Sequence, residues 1–465
     1  MAGIGFQLER MARQGGIAGF AGATLHGAVI SCGPWLLTVL AILLLHRWTQ
    51  AHSHAAVTIT IQAVLTYAFS LSVVVAMPFA LAGIRLASDL VYSADRDAIP
   101  RLLIAVLNRA SAVALVVGFG LFWIMAGLPP MAAMLAVAIL VLLTQIAVIG
   151  PFLTTTHRHD AIILAYGLGT VGGALLVIGL NLTGLVPVLA TVALALAFTE
   201  LALIAALRGE FPAPCTAGTG PALDVRPVIH VALAGLANAL ALWIDKWLLW
   251  WATQSTAVAG SLRVNSIYDP ASFIGLLTLV PGLSLILLLS ETRLERAFWR
   301  FARACTGTAR LNRIEEARHD LADLILSQLR LLASLQIVIA ALCWVLAPEI
   351  FRHLGYDPRG LFSFRFTVVG AVFHLITIYV TIVLSYYDLF GRILLVWVVF
   401  ALGSAAGTLA MWHLGVAGLG WGYLCGAMAA AVVGLAMLGN ATVQLVYLMF
   451  VANNPSLVGE ARYWA

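Results

Sequence analysis

The chain has 465 residues, 62% of them hydrophobic and only 10% charged, with a formal net charge of +5 and a mean hydropathy of +1.01. Soluble domains carry about 25% charged residues, so a soluble enzyme or a nucleic-acid-binding domain is excluded, and the surplus of positive charge is to be read loop by loop as topology. Apolar runs of about 20 residues, each enough to form a helix across a hydrocarbon core of about 30 Å, recur along the whole chain. The class is an all-α polytopic membrane protein.

In chain order the spans are predicted near 17–45, 56–84, 102–126, 131–156, 161–182, 185–207, 228–252, 270–290, 324–347, 366–387, 393–413 and 416–450. The first run is too long for the apolar core of a signal peptide, and no small-residue cleavage site follows it, so no cleavable leader is expected. Gly127–Pro130 and Gly184 leave room only for tight helical hairpins. Five cysteines, Cys32, Cys215, Cys305, Cys343 and Cys425, are scattered without a CxxC pair and indicate neither a disulfide framework nor a zinc site. Gly403 and Gly407, like Gly422 and Gly426, have the GxxxG spacing that lets helices pack closely.

Arginine gives the orientation. With the amino terminus inside, the inner side collects Arg10, Arg13, Arg85, Arg96, Arg101, Arg109, Arg158, Arg208, Arg226, the cluster from Arg293 to Arg330, Arg392 and Arg462. The outer side keeps Arg47, Arg263, Arg352, Arg359 and Arg365. This bias places both termini in the cytoplasm and requires an even number of spans.

Between the sixth and seventh spans, Arg208–Pro227 holds Pro212, Pro214, Pro221 and Pro227 with Gly209, Gly218 and Gly220, the composition of a linker. Residues 1–207 are therefore read as an amino-terminal six-helix lobe, 208–227 as a cytoplasmic linker and 228–465 as a carboxy-terminal lobe carrying a cytoplasmic amphipathic segment at 291–323. Met77-Pro78-Phe79 near the inner end of the second span and Val280-Pro281-Gly282 near that of the eighth occupy similar places. Repeats of this kind are common in six-plus-six transporters, whose substrate path runs between the lobes.

Familiar enzymatic motifs are missing. The single lysine, Lys246, is followed by Trp247, so there is no Gly-Lys-Ser/Thr phosphate loop, and there is no HExxH. Asp95-Arg96-Asp97 has a DxD form but sits in a short loop without an α/β domain, and it reads as a solvated charge group. The His157, Arg158, His159 and Asp160 cluster reads as an interfacial positive-inside loop. No metal, cofactor or catalytic residue is expected, and the chain is not read as an enzyme.

A charge at mid-membrane costs at least about 2.5–3.5 kcal/mol, so each one needs a reason. In the seventh span Asn238 and Asp245 are seven residues apart and share a face, with Lys246 to one side and Trp243, Trp247 and Trp250 opposite. Asp245 and Asn238 are candidates to line a cavity or carry a coupling ion; the alternative is the outer end of a helix with a snorkelling lysine and an aromatic belt. Glu200 and His374 are isolated polar groups in the sixth and tenth spans. Either would suit ion coupling, and either would equally serve as an interhelical hydrogen bond. Arg263 and Asp269 lie near the outer start of the eighth span. Gln62, Gln145 and Gln336 are read as path-lining residues or as ties between helices. After the eighth span, Leu294, Phe298 and Phe301 follow i, i+4, i+7 spacing among Arg293, Arg296, Arg300 and Arg303. That pattern predicts a basic amphipathic helix contacting anionic lipid or a cytoplasmic partner.

Several of these stretches resemble one known family. Met1-Ala2-Gly3-Ile4-Gly5-Phe6 with Leu8 and Arg10, Gly33-Pro34-Trp35, Trp243-Ile244-Asp245-Lys246-Trp247 and Tyr386-Tyr387-Asp388 are similar, in order and spacing, to the PelG family of Pel exopolysaccharide exporters. The resemblance implies the flippase superfamily fold of two six-helix lobes around a central cavity in the bacterial inner membrane. It also implies a N-acetylgalactosamine-rich polysaccharide moved from cytoplasm to periplasm, membrane lipids as surroundings, and work beside the membrane proteins PelD and PelE and the glycosyltransferase PelF. No site residues are carried over from it. Two other functions fit the residues: an ion-coupled exporter of small amphipathic molecules or lipid-linked oligosaccharides, with Glu200 and Asp245 carrying the ion, and a non-transporting scaffold of a polysaccharide synthase complex.

Overall fold

The computed structural model describes residues 16–93, 95–154, 159–211 and 228–452. The amino-terminal stretch Met1–Arg13, His157 and Arg158, linker residues 212–227 and Arg462 lie outside the described residues. In hydrocarbon every backbone N–H and C=O needs an internal partner, which only a helix supplies within one segment. Among the described residues, twelve helical segments are long and apolar enough to cross: α1 (Cys32–His52), α2 (Ala55–Tyr92), α3 (Arg96–Met125), α4 (Pro130–Leu153), α5 (Asp160–Gly179), α6 (Leu185–Glu210), α7 (Ile229–Leu249), α8 (Tyr268–Thr306), α9 (Leu311–Leu354), α10 (Pro358–Tyr386), α11 (Phe390–Ala410) and α12 (Trp421–Val443). The fold class read from composition holds. The chain divides into two compact units, one of Cys32–Ala239 with Ser255–Val264 and one of Met1–Ser31, Leu240–Gln254 and Asn265–Ala465.

The short connections are tight turns. Gly127, between α3 and α4, has φ +60, and Asn181, between α5 and α6, has φ 55. In the turn between α9 and α10, Asp357 accepts from the Arg359 backbone N–H and faces its guanidinium at 2.6 Å. These hydrogen bonds hold the Asp357 carboxyl below the ordinary carboxylate range. The two GxxxG pairs meet each other: a Cβ added to Gly403 of α11 would lie 2.9 Å from Gly426 Cα of α12, and one on Gly407 would lie 3.1 Å from Gly422 Cα.

Proline shapes α8. Its first helical stretch ends at Leu277 and the next starts at Val280, with Pro281 in the new first turn. At this break the Gln336 amide of α9 donates to the Thr278 carbonyl at 3.1 Å. Gln336 is thus a tie between helices.

One feature escapes the sequence reading. Between α7 and α8 an antiparallel hairpin forms, β1 (Thr256–Ala259) with β2 (Leu262–Val264), turning at Gly260 with φ +48. Ser261 N–H donates to the Met125 carbonyl at 3.1 Å, while the Tyr67 hydroxyl donates to the Arg263 carbonyl at 3.0 Å and accepts from its N–H at 3.1 Å. The segment 291–323, whose start the spacing predicts to be a basic amphipathic helix, is helical there. It comprises the far ends of α8 and α9, with a π turn at Ser290–Leu294 leading into helix Glu295–Thr306 and α9 running unbroken for 44 residues, about 66 Å. Leu294 and Phe301 are buried, and Phe298 meets the Tyr386 ring at 5.4 Å. The apolar stripe read from sequence spacing, for contact with lipid or a cytoplasmic partner, is covered by this unit's own helices, which removes it from water.

The α11–α12 contact gives a direct check. Gly426→Leu is expected to lower the thermal midpoint in detergent by the equivalent of about 1–3 kcal/mol, the usual cost of forcing volume into a packed contact. Gly439→Leu on the same helix, where an added Cβ meets nothing within 4 Å, should leave it unchanged.

Candidate functional site

The strongest concentration of polar groups in membrane-spanning helices lies within the second unit, around the end of α7. Asp245 and Lys246 are 1% and 5% exposed. Adjacent residues on a helix do not face each other, yet the Lys246 stem curls back along α7. Its Nζ reaches the Leu242 carbonyl at 2.9 Å and both carboxylate oxygens of Asp245, at 3.2 and 3.3 Å. The ammonium does not snorkel. It sits 5.7 Å from the ring centre of Tyr268 and 5.9 Å from those of Trp243 and Tyr423, where the electron-rich ring faces attract a cation.

Three other helices complete the cluster. Tyr268, the first residue of α8, donates its hydroxyl to Asp245. Tyr423 of α12, whose ring faces Lys246, places its hydroxyl 2.8 Å from His374 Nδ1 of α10. The imidazole is enclosed edge-on by Phe400 at 5.0 Å and Trp397 at 6.0 Å. His374 is therefore joined to the Asp245–Lys246 pair through a single tyrosine.

The start of α8 is fixed by its own sequence. Asn265 Oδ1 accepts from the backbone N–H of Ile267 and Tyr268, at 3.2 and 3.0 Å, and Asp269 Oδ2 accepts from Asn265 N–H at 3.1 Å. This reciprocal arrangement works like a capping box and satisfies donors that the first turn would leave open. Asp269 also accepts from the Trp250 indole, at 3.0 and 3.1 Å. Asp269 thus holds the element that presents Tyr268.

The other candidates lie apart from this cluster. Asn238 belongs to the first unit, is half-buried and has no hydrogen-bond partner among the described residues. Glu200 of α6 is half-buried in the same unit. The Gln145 amide of α4 donates to its carboxylate at 2.9 and 3.0 Å and accepts from Ser111 of α3 at 3.0 Å, in the orientation that satisfies both ends. Arg263 lies on β2, with Nε donating to Ser255 at 3.0 Å. Arg293, Arg296, Arg300 and Arg303 are exposed, whereas Phe298 is half-buried. Sequence reasoning missed Tyr268, Tyr423 and Asn265. Only Asn265 left a local signal, an Asn four residues ahead of Asp269 at the start of an apolar run.

Among the described residues twelve helical segments are long and apolar enough to cross a membrane, and their fold is shared with solved transporters of the MOP superfamily. The chain is 14% identical to a MATE transporter solved in complex with MaD5, with a TM-score of 0.63, covering 90% of this chain and 96% of that one. It is 16% identical to an outward-facing multidrug resistance MATE transporter, TM-score 0.60, with 90% and 96% covered. A MOP-superfamily transporter from Pyrococcus furiosus, described as having a binding pocket of reversed polarity, is 14% identical, TM-score 0.59, with the same coverage. No match is found among curated proteins. The chain belongs to the PelG family, whose profile, described as "Putative exopolysaccharide Exporter (EPS-E)", matches residues 1–450.

Breaking a buried pair leaves an uncompensated charge, whereas replacing both partners with neutral groups removes the penalty. Asp245→Asn and Lys246→Met are each expected to destabilise by about 3–5 kcal/mol in detergent unfolding. The double variant should recover most of that loss. Additive losses would show that the two side chains do not act as a pair.

Proposed function

We propose that this transporter moves a Pel-type, N-acetylgalactosamine-rich polysaccharide from cytoplasm to periplasm across the bacterial inner membrane, with both termini cytoplasmic. The observation that carries this reading is the PelG match over residues 1–450. The route is the two-lobe central pathway implied by the family resemblance, with lobes 1–207 and 228–465 joined by the linker 208–227. PelD, PelE and the glycosyltransferase PelF are its proposed partners.

In this reading the Asp245–Lys246 cluster is a closed portion of the route. A chain of sugars cannot be drawn through hydrocarbon, because each buried hydroxyl without a partner costs several kcal/mol. The path must offer hydrogen-bonding groups and flat apolar faces. The cluster holds both kinds: a carboxylate, an ammonium, tyrosine hydroxyls and the rings of Trp243, Tyr268 and Tyr423. At rest they satisfy one another; during export they exchange those partners for sugar.

One observation favours ion coupling as an addition to this scheme. The Glu200 carboxylate lies in a spanning helix with a neutral amide, Gln145, as its partner and no cation paired to it among the described residues. A carboxylate so placed is a candidate to take up and release a proton during the cycle.

The test is polymer secretion from a deletion strain complemented with each variant, at equal amounts of chain in the membrane. Asp245→Asn combined with Lys246→Met is expected to cut secretion at least tenfold although it is stable. Glu200→Gln, which retains the hydrogen bond to Gln145, should also cut it, and should abolish its response to collapse of the proton gradient. Wild-type secretion by the double variant would remove the cluster from the route, and wild-type behaviour of Glu200→Gln would leave that residue a structural tie.

A further inference from the structure

The far ends of α8 and α9 form a stalk. Exposed apolar residues along α9 run from Leu326 through Ile337 and Leu342 to Leu346. From Leu326 to Leu346 the helix rises about 30 Å, the thickness of a hydrocarbon core. The remaining Leu311–Ile325, about 22 Å, extends beyond it. On α8 the first charged residue after the apolar run is Glu291, and Trp299 lies eight residues further, about 12 Å along the helix. The headgroup layer on one side accounts for only about 5–8 Å.

With the helix along the membrane normal, Trp299 lies about 4–7 Å beyond the headgroups, and it is 53% exposed. At 100° per residue, Arg296, Trp299, Arg300 and Arg303 fall within about 100° of one another, on the face opposite buried Ala297 and Phe301. At the start of the neighbouring helix two arginines have internal counter-charges: Arg313 meets Glu316 at 3.6 Å and Arg318 meets Glu315 at 2.7 Å. Arg293, Arg300 and Arg303 have no carboxylate partner among the described residues. Helix Glu295–Thr306 carries three arginines, Arg296, Arg300 and Arg303, against one glutamate, Glu295.

We propose that this face of the stalk docks an acidic surface of a water-soluble protein, with carboxylates for Arg300 and Arg303 around an apolar slot that takes the Trp299 indole. Guanidinium groups pair with carboxylates through two parallel hydrogen bonds, and tryptophan and arginine are the side chains that most often dominate binding energy at protein interfaces. An anionic lipid surface offers the same charge, but it lies about 4–7 Å short of Trp299 along the stalk. Phe298 is not part of this surface. Its contacts with Tyr386 and Tyr387, at 5.4 and 6.4 Å, anchor the stalk to α10 and to the turn after it.

The test places a photoreactive phenylalanine analogue at position 299 of the full-length chain in membranes of its own cells, with adducts mapped by mass spectrometry. The expected adduct is to a peptide rich in Asp and Glu. Its yield should fall at least tenfold when Arg300→Glu and Arg303→Glu are combined, and return when the mapped carboxylates are replaced by lysine. The charge-reversed chain should keep its thermal midpoint, as both side chains are exposed, whereas Phe298→Ala should lower it. Adducts to phospholipid alone, a protein adduct indifferent to charge reversal, or no adduct would each overturn the proposal.

Discussion

An ammonium and a carboxylate inside a membrane protein have to satisfy each other, and the chain must be arranged around that necessity. Lys246 is held by Asp245, by a carbonyl one turn back on its own helix and by three aromatic faces. Much of the second unit's architecture follows from supplying those contacts. The capped start of α8 brings Tyr268 to Asp245, and α12 brings Tyr423 between Lys246 and His374. Asp269 and Trp250 fix the chain where it leaves α7 and re-enters as α8. A buried pair of this kind contributes little net stability. Its value lies elsewhere, in holding several helices in one arrangement whose polar contacts can be exchanged for others.

In the proposed function, exchange of those contacts for contacts with cargo links the cluster to export. A polysaccharide carries many hydroxyl groups and few charges, so its route needs partners that are available in turn, and aromatic faces against which a sugar ring can lie. A cluster already satisfied internally can be sealed at rest without stranded polar groups. Opening costs little if each internal hydrogen bond is replaced by one to the cargo, because the difference between the two states is then a difference of partners. The Glu200–Gln145–Ser111 chain in the first unit has a different chemistry, a carboxylate held by neutral groups. In the proposed function the cluster of the second unit meets cargo and the Glu200 carboxylate of the first unit carries an ion.

Much of the architecture was legible in the sequence because hydrocarbon imposes simple rules. Apolar run length marked all twelve spans, the paired GxxxG spacings anticipated the Gly403–Gly426 approach, and Asp245 stood out as a charge with no reason to be there. Legibility ended where contacts join distant parts of the chain. Nothing near Lys246 announces that Tyr268 and Tyr423 will enclose it, so the sequence favours snorkelling, whereas the structure buries the side chain. The i, i+4, i+7 stripe at Leu294, Phe298 and Phe301 correctly marked an apolar face. Periodicity alone does not say whether lipid or protein covers such a face, and here Tyr386 and its neighbours do. The β1–β2 hairpin escaped because its strands are three and four residues long and depend on Tyr67 and Met125, far away in sequence.

The central claim is that the Asp245–Lys246 cluster, sealed at rest, opens to water when cargo passes. Ser272, one turn after Tyr268 on α8, is completely buried, and Ser272→Cys changes one atom. Its labelling by a membrane-impermeant thiol reagent, in a chain with the native cysteines replaced, compares cells that are synthesising polymer with cells that are not. The account predicts rapid labelling in the first and protection in the second. Equal protection in both, with polymer secretion intact, would contradict it.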